Sequence, residues 1–284
     1  MKKKQIIGIV LIVAAVLCAV SGYKINAGAP EISNTIKNAV YVTDGKVLPE
    51  NEGKVVIVPG TLDADLPFVD KETGITIHGI VAWRYVERLR VGENTESKSK
   101  YWNWDADHSP DAFGGHKKLL APNVTLGEFA VAEKFINTLA ANQKRTEYTE
   151  KELNQMGWNV FKDEGRTYLY QGDRMPADET DVDEFNTRQD KYAYKEYIDT
   201  LRVSYDEKDD ELDYTTIGLQ QNGQLVEAPE LGVQFVCAGH LTVEELLEYA
   251  DSSAKSSSIT AYAIAVALLA AGVVVFVKKE KKVS

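Results

Sequence analysis

Ile259-Thr260-Ala261-Tyr262-Ala263-Ile264-Ala265-Val266-Ala267-Leu268-Leu269-Ala270-Ala271-Gly272-Val273-Val274-Val275-Phe276-Val277 is a run without a single charged side chain. As a helix it reaches about 29 Å at about 1.5 Å per residue, close to the roughly 30 Å hydrocarbon core of a bilayer. The run predicts a membrane span over 259–277, and Lys278-Lys279-Glu280-Lys281-Lys282 follows it directly. The other end of the chain mirrors this pattern. Met1-Lys2-Lys3-Lys4 precedes the apolar run Ile6 to Val20, which Ser21, Gly22 and Tyr23 extend to membrane length. Lys and Arg beside a span favour the cytoplasmic side. The pattern therefore predicts a cytoplasmic start at 1–4, a first span at 5–23, an extracytoplasmic domain at 24–258 and a cytoplasmic tail at 278–284, in a cell membrane.

The first span has a second reading as a cleaved signal peptide, with Val20-Ser21-Gly22 as a small-residue cleavage site. Pro30 blocks cleavage after Ala27-Gly28-Ala29, and Leu17 before Cys18 disfavours a lipoprotein signal. A retained anchor is favoured, and in either case the central region is exported.

Cys18 and Cys237 are the only cysteines, and Cys18 falls within the first span, so an internal disulfide is excluded and the domain must stand on its core. The chain carries 43 acidic against 32 basic residues, a net charge of −11, and several of its lysines belong to the two ends. Nucleic-acid affinity comes mainly from Lys and Arg on phosphate, so nucleic acid is excluded as a partner.

Within the exported region, Ala39 to Val42, Lys54 to Val58, Ile75 to Ile80 and Ala82 to Val91 read as strands bounded by Gly, Asp and Pro. Alternation places Trp83, Tyr85, Glu87 and Leu89 on one face of the last of these, with Ala82, Arg84, Val86 and Arg88 on the other. Thr125-Leu126-Gly127-Glu128 has the form of a capping box, and Phe129, Ala132, Phe135, Ile136 and Leu139 recur behind it at helical spacing. This predicts a helix over about 126–141. It also gives Thr125 a capping role, a simpler reading than a glycosylation acceptor at Asn123. A short helix is expected from Glu150 to Met156 after Thr149. Strands resume at 166–171, 201–205, 215–219, 224–227 and 233–237, with Asn222-Gly223 as a hairpin turn. Thr242-Val243-Glu244-Glu245 caps a helix that leads towards the second span. Residues 24–38 read as a polar linker, and the acidic stretches 178–190 and 206–213 as solvated loops. The expected fold class is α+β: a largely antiparallel β domain with a few helices, flanked by two transmembrane helices.

Tests for chemistry return little. Asp105, Asp107, His108 and His116 carry metal-type donors but not the spacing of a zinc site, and Asp181 with Asp183 lacks the loop glycine of an EF-hand. Ser97-Lys98-Ser99-Lys100 and Ser252-Ser253-Ala254-Lys255 match Ser-x-x-Lys without its companion elements. No cofactor or metal is expected. One aromatic group remains, Tyr101-Trp102-Asn103-Trp104 with Trp83, Tyr85, Phe113 and Trp158. Core burial is its favoured role, because aromatics supply much of a core's buried area. A binding platform is the alternative, which makes Trp102, Trp104, His108 and His116 the residues to examine for contact with a ligand or partner.

Several segments taken in order resemble the LUMA family, also called the transmembrane protein 43 family. They are Glu50-Asn51-Glu52-Gly53-Lys54-Val55-Val56 with Gly60, Val86-Glu87 followed by Lys100 to Trp104, Phe113-Gly114-Gly115-His116-Lys117, Thr200 to Tyr205, and Gln220-Gln221-Asn222-Gly223. The resemblance covers about 50–240. It implies a membrane-anchored domain on the non-cytoplasmic side, a role in organising membrane protein complexes, and no catalytic residues. One terminal span in place of the several found in animal members suits a bacterial cell-membrane member. The expectation is a non-enzymatic scaffold that meets the lipid bilayer and membrane or envelope proteins, or itself. A ligand-binding or hydrolytic ectodomain built on 101–116 is the alternative.

Overall fold

The computed structural model describes residues 3–93, 100–163, 165–172, 199–208, 213–231 and 235–277. The chain runs α1 (Lys3–Asn38), β1 (Val40–Tyr41) and β2 (Val55–Asp63), then β3 (Phe68–Val69), β4 (Thr76–Ile77), β5 (Val81–Glu93), β6 (Lys100–Ala106), β7 (Lys117–Leu120), β8 (Thr125–Leu126) and β9 (Phe129–Val131). After α2 (Glu133–Ile136) come β10 (Gln143–Lys144), α3 (Glu150–Met156), β11 (Asn159–Asp163), β12 (Arg166–Tyr170) and β13 (Leu201–Glu207). It closes with β14 (Asp213–Gln221), β15 (Gln224–Val226), β16 (Phe235–Ala238) and α4 (Val243–Val277). The expected α+β class with mostly antiparallel strands and two terminal apolar helices is observed. Two compact units result, one of Met1–Gly60 with Asp213–Ser284, the other of Thr61–Leu212.

In the first unit, α1 and α4 pack antiparallel. A Cβ on Gly22 would stand 3.2–3.3 Å from atoms of Tyr262, Ala261 and Ser258, and one on Gly272 would stand 2.9–3.1 Å from Ile12, Gly8 and Leu11. Small residues let two backbones approach this closely, the usual means by which helices associate in lipid. The start of α1 and the end of α4 therefore lie at the same end of the pair. Outward-facing Val10, Val13, Leu17, Ile259, Val266 and Val274 remain exposed, an apolar exterior of the kind that lipid covers.

Both helices outrun the apolar segments. Residues 24–38, read as a linker, are helical, and Pro30 sits inside α1. The reason is packing: Ile32 and Ile36 enter a core with Ile57, Ile217, Leu231 and Cys237, to which α4 contributes Leu246 and Ala250. Burial outweighs the helix-breaking tendency of Gly28 and Pro30. The helix expected at Thr242 begins as read. Thr242 Oγ1 accepts from the Glu245 amide at 3.3 Å while Glu245 Oε2 accepts from the Thr242 amide at 2.8 Å, and α4 continues without interruption to Val277. In the same unit β14 pairs antiparallel with β15 and β16. Asn222 and Gly223 turn the hairpin at φ 51° and 76°, the double left-handed pattern of a type I′ turn.

The second unit is built on one sheet in the order β11-β12-β13-β5-β6, with β7 beside β5 and β10 beside β13. Its core holds Ile75, Ile77, Ala82, Val86, Trp158, Leu169, Val203 and Tyr205. The expected helix at 126–141 is not formed. Leu126 and Phe129 are cross-strand partners in the β8–β9 hairpin, with Gly127 at φ 60° in the two-residue turn, and only α2 is helical. The 3.6-residue spacing arose because Leu126, Phe129, Phe135, Ile136 and Leu139 are all buried, by a hairpin and a single helical turn in succession. Thr125 is thus a strand residue, not a cap. The α3 expectation holds, with a capping box between Thr149 and Glu152 and Gly157 at φ 68° beyond the helix.

The acidic stretch 206–213 was misread at its start: Asp206 and Glu207 close β13 and pair with Arg166 at 2.8 Å and Arg145 at 2.9 Å. Asp181, Asp183, Ser97 and the tail lysines lie outside the described residues.

Candidate functional site

Successive residues of a strand face opposite ways, and on β5 this separates Ala82, Arg84 and Val86, all buried, from Trp83, Tyr85 and Glu87, all half-buried. On β13, Val203 and Tyr205 join the core, leaving Arg202, Ser204 and Asp206 for the other face. The register sets Arg202 opposite Glu87, Ser204 opposite Tyr85 and Asp206 opposite Trp83. β12 adds Arg166 and Tyr168, and β6 adds Trp104, whose strand partner is Leu89. One sheet face thus alternates arginines with aromatic rings.

Its centre is Arg202. The guanidinium lies 4.3 Å from the Trp104 ring centroid and 3.9 Å from that of Tyr168, while its Nε donates to Glu87 Oε2 at 2.8 Å. Each cation–π contact of this kind is worth about 0.5–2 kcal/mol, more as water is excluded. Alongside, Arg166 sits 4.8 Å over the Tyr85 ring and donates to Ser204 Oγ at 3.2 Å. Burial, followed by the Asp206 carboxylate, raises the Tyr85 pKa, so the phenol stays protonated.

Next to Tyr85 stands a histidine pair. The His116 ring meets Tyr85 edge-on at 4.8 Å, Trp83 at 5.3 Å and His108 at 5.3 Å. Burial lowers the His116 pKa, the neighbouring His108 lowers it further, and Glu87 opposes both. Its Nδ1 is buried without a hydrogen-bond partner. The ring is therefore held neutral.

Of the residues singled out in the sequence, the structure brings His108 and His116 together and sets Trp104 on the same sheet face. The Trp102 side chain lies outside the described residues, although its backbone pairs with Val91. Asp107 is diverted to structure. Burial works to raise its pKa, but hydrogen bonds from Ser109 and Arg88 outweigh that and hold it at about 2. Asp105 is exposed and accepts from Asn103 Nδ2 at 2.6 Å. Among the described residues, no group of three or more His, Cys, Asp or Glu side chains is placed to hold a metal.

The aromatic group itself divides. Trp158 and Phe113 go to the core, 4.8 Å apart, with Trp158 Nε1 donating to the Thr73 carbonyl at 2.9 Å. Trp83, Tyr85 and Trp104 line the open face instead. Sequence reasoning missed Arg202, Arg166 and Tyr168. The alternation along 201–205 carried the signal, but only the register of β13 on β5 reveals which rings the arginines meet.

The transmembrane protein 43 family matches residues 96–282, a span that takes in β6 to β16 and all of α4. No curated protein and no solved structure matches the chain. The two terminal helices, long and apolar enough to cross a bilayer, agree with what the family's name describes. The chain belongs to the transmembrane protein 43 family and is a membrane protein.

Proposed function

We propose that the protein is a non-enzymatic scaffold of the cell membrane, spanning it at 5–23 and 259–277, with both termini cytoplasmic and residues 24–258 extracytoplasmic. Through the open face of its second unit it engages another envelope protein. The observation that carries this reading is Arg202 clasped between Trp104 and Tyr168. Arg202 is itself only 8% exposed and holds the half-buried Trp104 and Tyr168 rings in place from below; Trp and Tyr contribute heavily to the binding energy of protein interfaces, and rings already fixed lose little freedom when a partner covers them. The orientation rests on the lysines at the two ends. It is supported by the antiparallel packing of α1 and α4, which puts both ends of the helix pair on one side.

Crosslinking in native membranes tests the reading. The wild-type chain is expected to give discrete heteromeric products that Trp104→Ala and Arg202→Ala deplete and that Lys46→Ala, on an exposed loop of the first unit, leaves in place. Recovery of isolated monomers alone would overturn it. For orientation, a protease added outside intact cells stripped of their outer layers is expected to cut within 24–258; sparing of this region while a control ectodomain is cleaved would reverse the topology.

A further inference from the structure

The second unit contains a cleft of about 740 Å³ with an unusual lining: every residue from 117 to 124 borders it. Side chains alternate along a strand, so a strand whose consecutive residues all line one cavity presents its backbone edge to that cavity. The hydrogen bonds agree. Ala121 N–H donates to the Ile80 carbonyl at 2.8 Å, and the register Leu120 to Val81 fixes the phase of the ladder. Residues 117, 119 and 121 therefore face β5, while Lys118 and Leu120 turn their amides and carbonyls to the opposite edge. There they make no backbone hydrogen bond to a described residue. Two donors and two acceptors, in the spacing of a β-ladder, open onto the cleft.

The surroundings select what fits. Phe68, Val131 and Ile136 supply apolar wall, and Lys71, Lys117, Lys118 and Arg84 supply cations against Asp70, Glu72 and Glu133. Asp70 is already taken by Arg84, with Nη1 at 2.7 Å from each carboxylate oxygen, so the lysines outnumber the remaining acids. This is a local cationic excess on an acidic chain. A second copy offering the same edge would bring lysine to lysine, and like charges across a strand pair destabilise it.

We infer that the free edge of β7 is a strand-addition site, which takes an extended segment of a partner protein whose acidic side chains alternate with apolar ones. The inference rests on the scaffold reading and gives it a second, chemically distinct contact. The incoming backbone completes the ladder at Lys118 and Leu120, its apolar side chains enter against Phe68 and Ile136, and its carboxylates meet Lys71 and Lys117.

The probe is a fluorescein-labelled heptapeptide alternating valine and glutamate, titrated by anisotropy against the full chain in nanodiscs. Two comparison peptides carry lysine for glutamate or N-methyl groups on alternate amides. Saturable binding of the glutamate peptide is expected, weakened at least about tenfold by N-methylation, a change of about 1.4 kcal/mol. Lys71→Glu with Lys117→Glu, on exposed side chains, should weaken it comparably and improve binding of the lysine peptide. Hydrogen exchange at the Lys118 and Leu120 amides should slow on binding. No saturable binding up to about 1 mM, equal binding of the N-methyl peptide, or unchanged exchange at these amides would overturn the inference. Failure here, with crosslinked products still lost in Trp104→Ala, sinks the edge site alone; crosslinked products that persist in Trp104→Ala, with edge binding intact, sink the face instead.

Discussion

Arg84 and Asp70 form an ion pair whose side chains are only 1% and 3% exposed. Two charges taken this far out of water need every remaining bond satisfied. Here they have them: Asp70 also accepts from the Tyr205 hydroxyl at 2.7 Å, Tyr205 meets Thr73 Oγ1 at 2.6 Å, and Arg84 Nε donates to the Gly115 carbonyl at 3.0 Å. The pair ties β5 and β13 to the loops at Asp70 and Gly115.

Removing one partner leaves the other buried and uncompensated. Arg84→Met or Asp70→Leu is expected to destabilise the protein by about 3–5 kcal/mol. Combining the two should cost clearly less than the sum, because no lone charge remains. Chemical denaturation of the detergent-solubilised chain gives the comparison; strict additivity would show that the pair is not coupled.

The helix pair offers a test by size. At Gly272 a Cβ would stand 2.9 Å from Ile12 Cγ1 and 3.0 Å from the Gly8 carbonyl, whereas at Gly28 nothing lies within 4 Å. Gly272→Leu is expected to abolish disulfide crosslinking between cysteines placed at Gly22 and Ala261, and Gly28→Leu to preserve it. Equal crosslinking in both variants would refute the close approach.

His116 predicts a pH dependence. Burial and His108 keep its folded pKa below the ordinary 6.5, so the fold favours the neutral ring. The stability this contributes is complete above the unfolded pKa and is lost as the pH falls through and below about 6.5. His116→Phe should flatten the decline in Tm between about pH 8 and pH 5. A Tm slope unchanged by the substitution would assign the effect to other groups.

Thr242 tests the joint between domain and membrane. Thr242→Ala removes the cap from α4 and is expected to cost about 1 kcal/mol, with faster amide exchange at residues 243–246 and no change at residues 259–277. Exchange that rose equally along the whole helix would contradict a local cap.

Much of this architecture was legible wherever one local rule acts alone. The start of α3 after Thr149, Thr242 with Glu245, and Asn222 with Gly223 each need only their own neighbours, and all three appear as read. The apolar runs were legible for the same reason, since lipid imposes length and composition without regard to partners. Residues 125–139 failed because burial by a hairpin and by a helix produce the same spacing of Leu126, Phe129, Phe135 and Ile136. Residues 24–38 failed because Ile32 and Ile36 are held by β-strands and by α4, much later in the chain. On the open face, Trp104 and the histidines were visible as chemistry. Arg202 was not, because its role is defined by the rings that the β12–β13–β5–β6 register brings around it.

The unbroken course of α4 from Leu246 in the core to Val274 among the outward apolar residues has a mechanical consequence. A membrane-spanning helix whose apolar run exceeds the local hydrocarbon thickness, as in a thinned bilayer, accommodates by tilting. With Leu246 and Ala250 locked among Ile57, Ile217 and Cys237, that rotation has no swivel in which to dissipate. Any tilt of α4 is therefore passed directly to the sheet of the first unit.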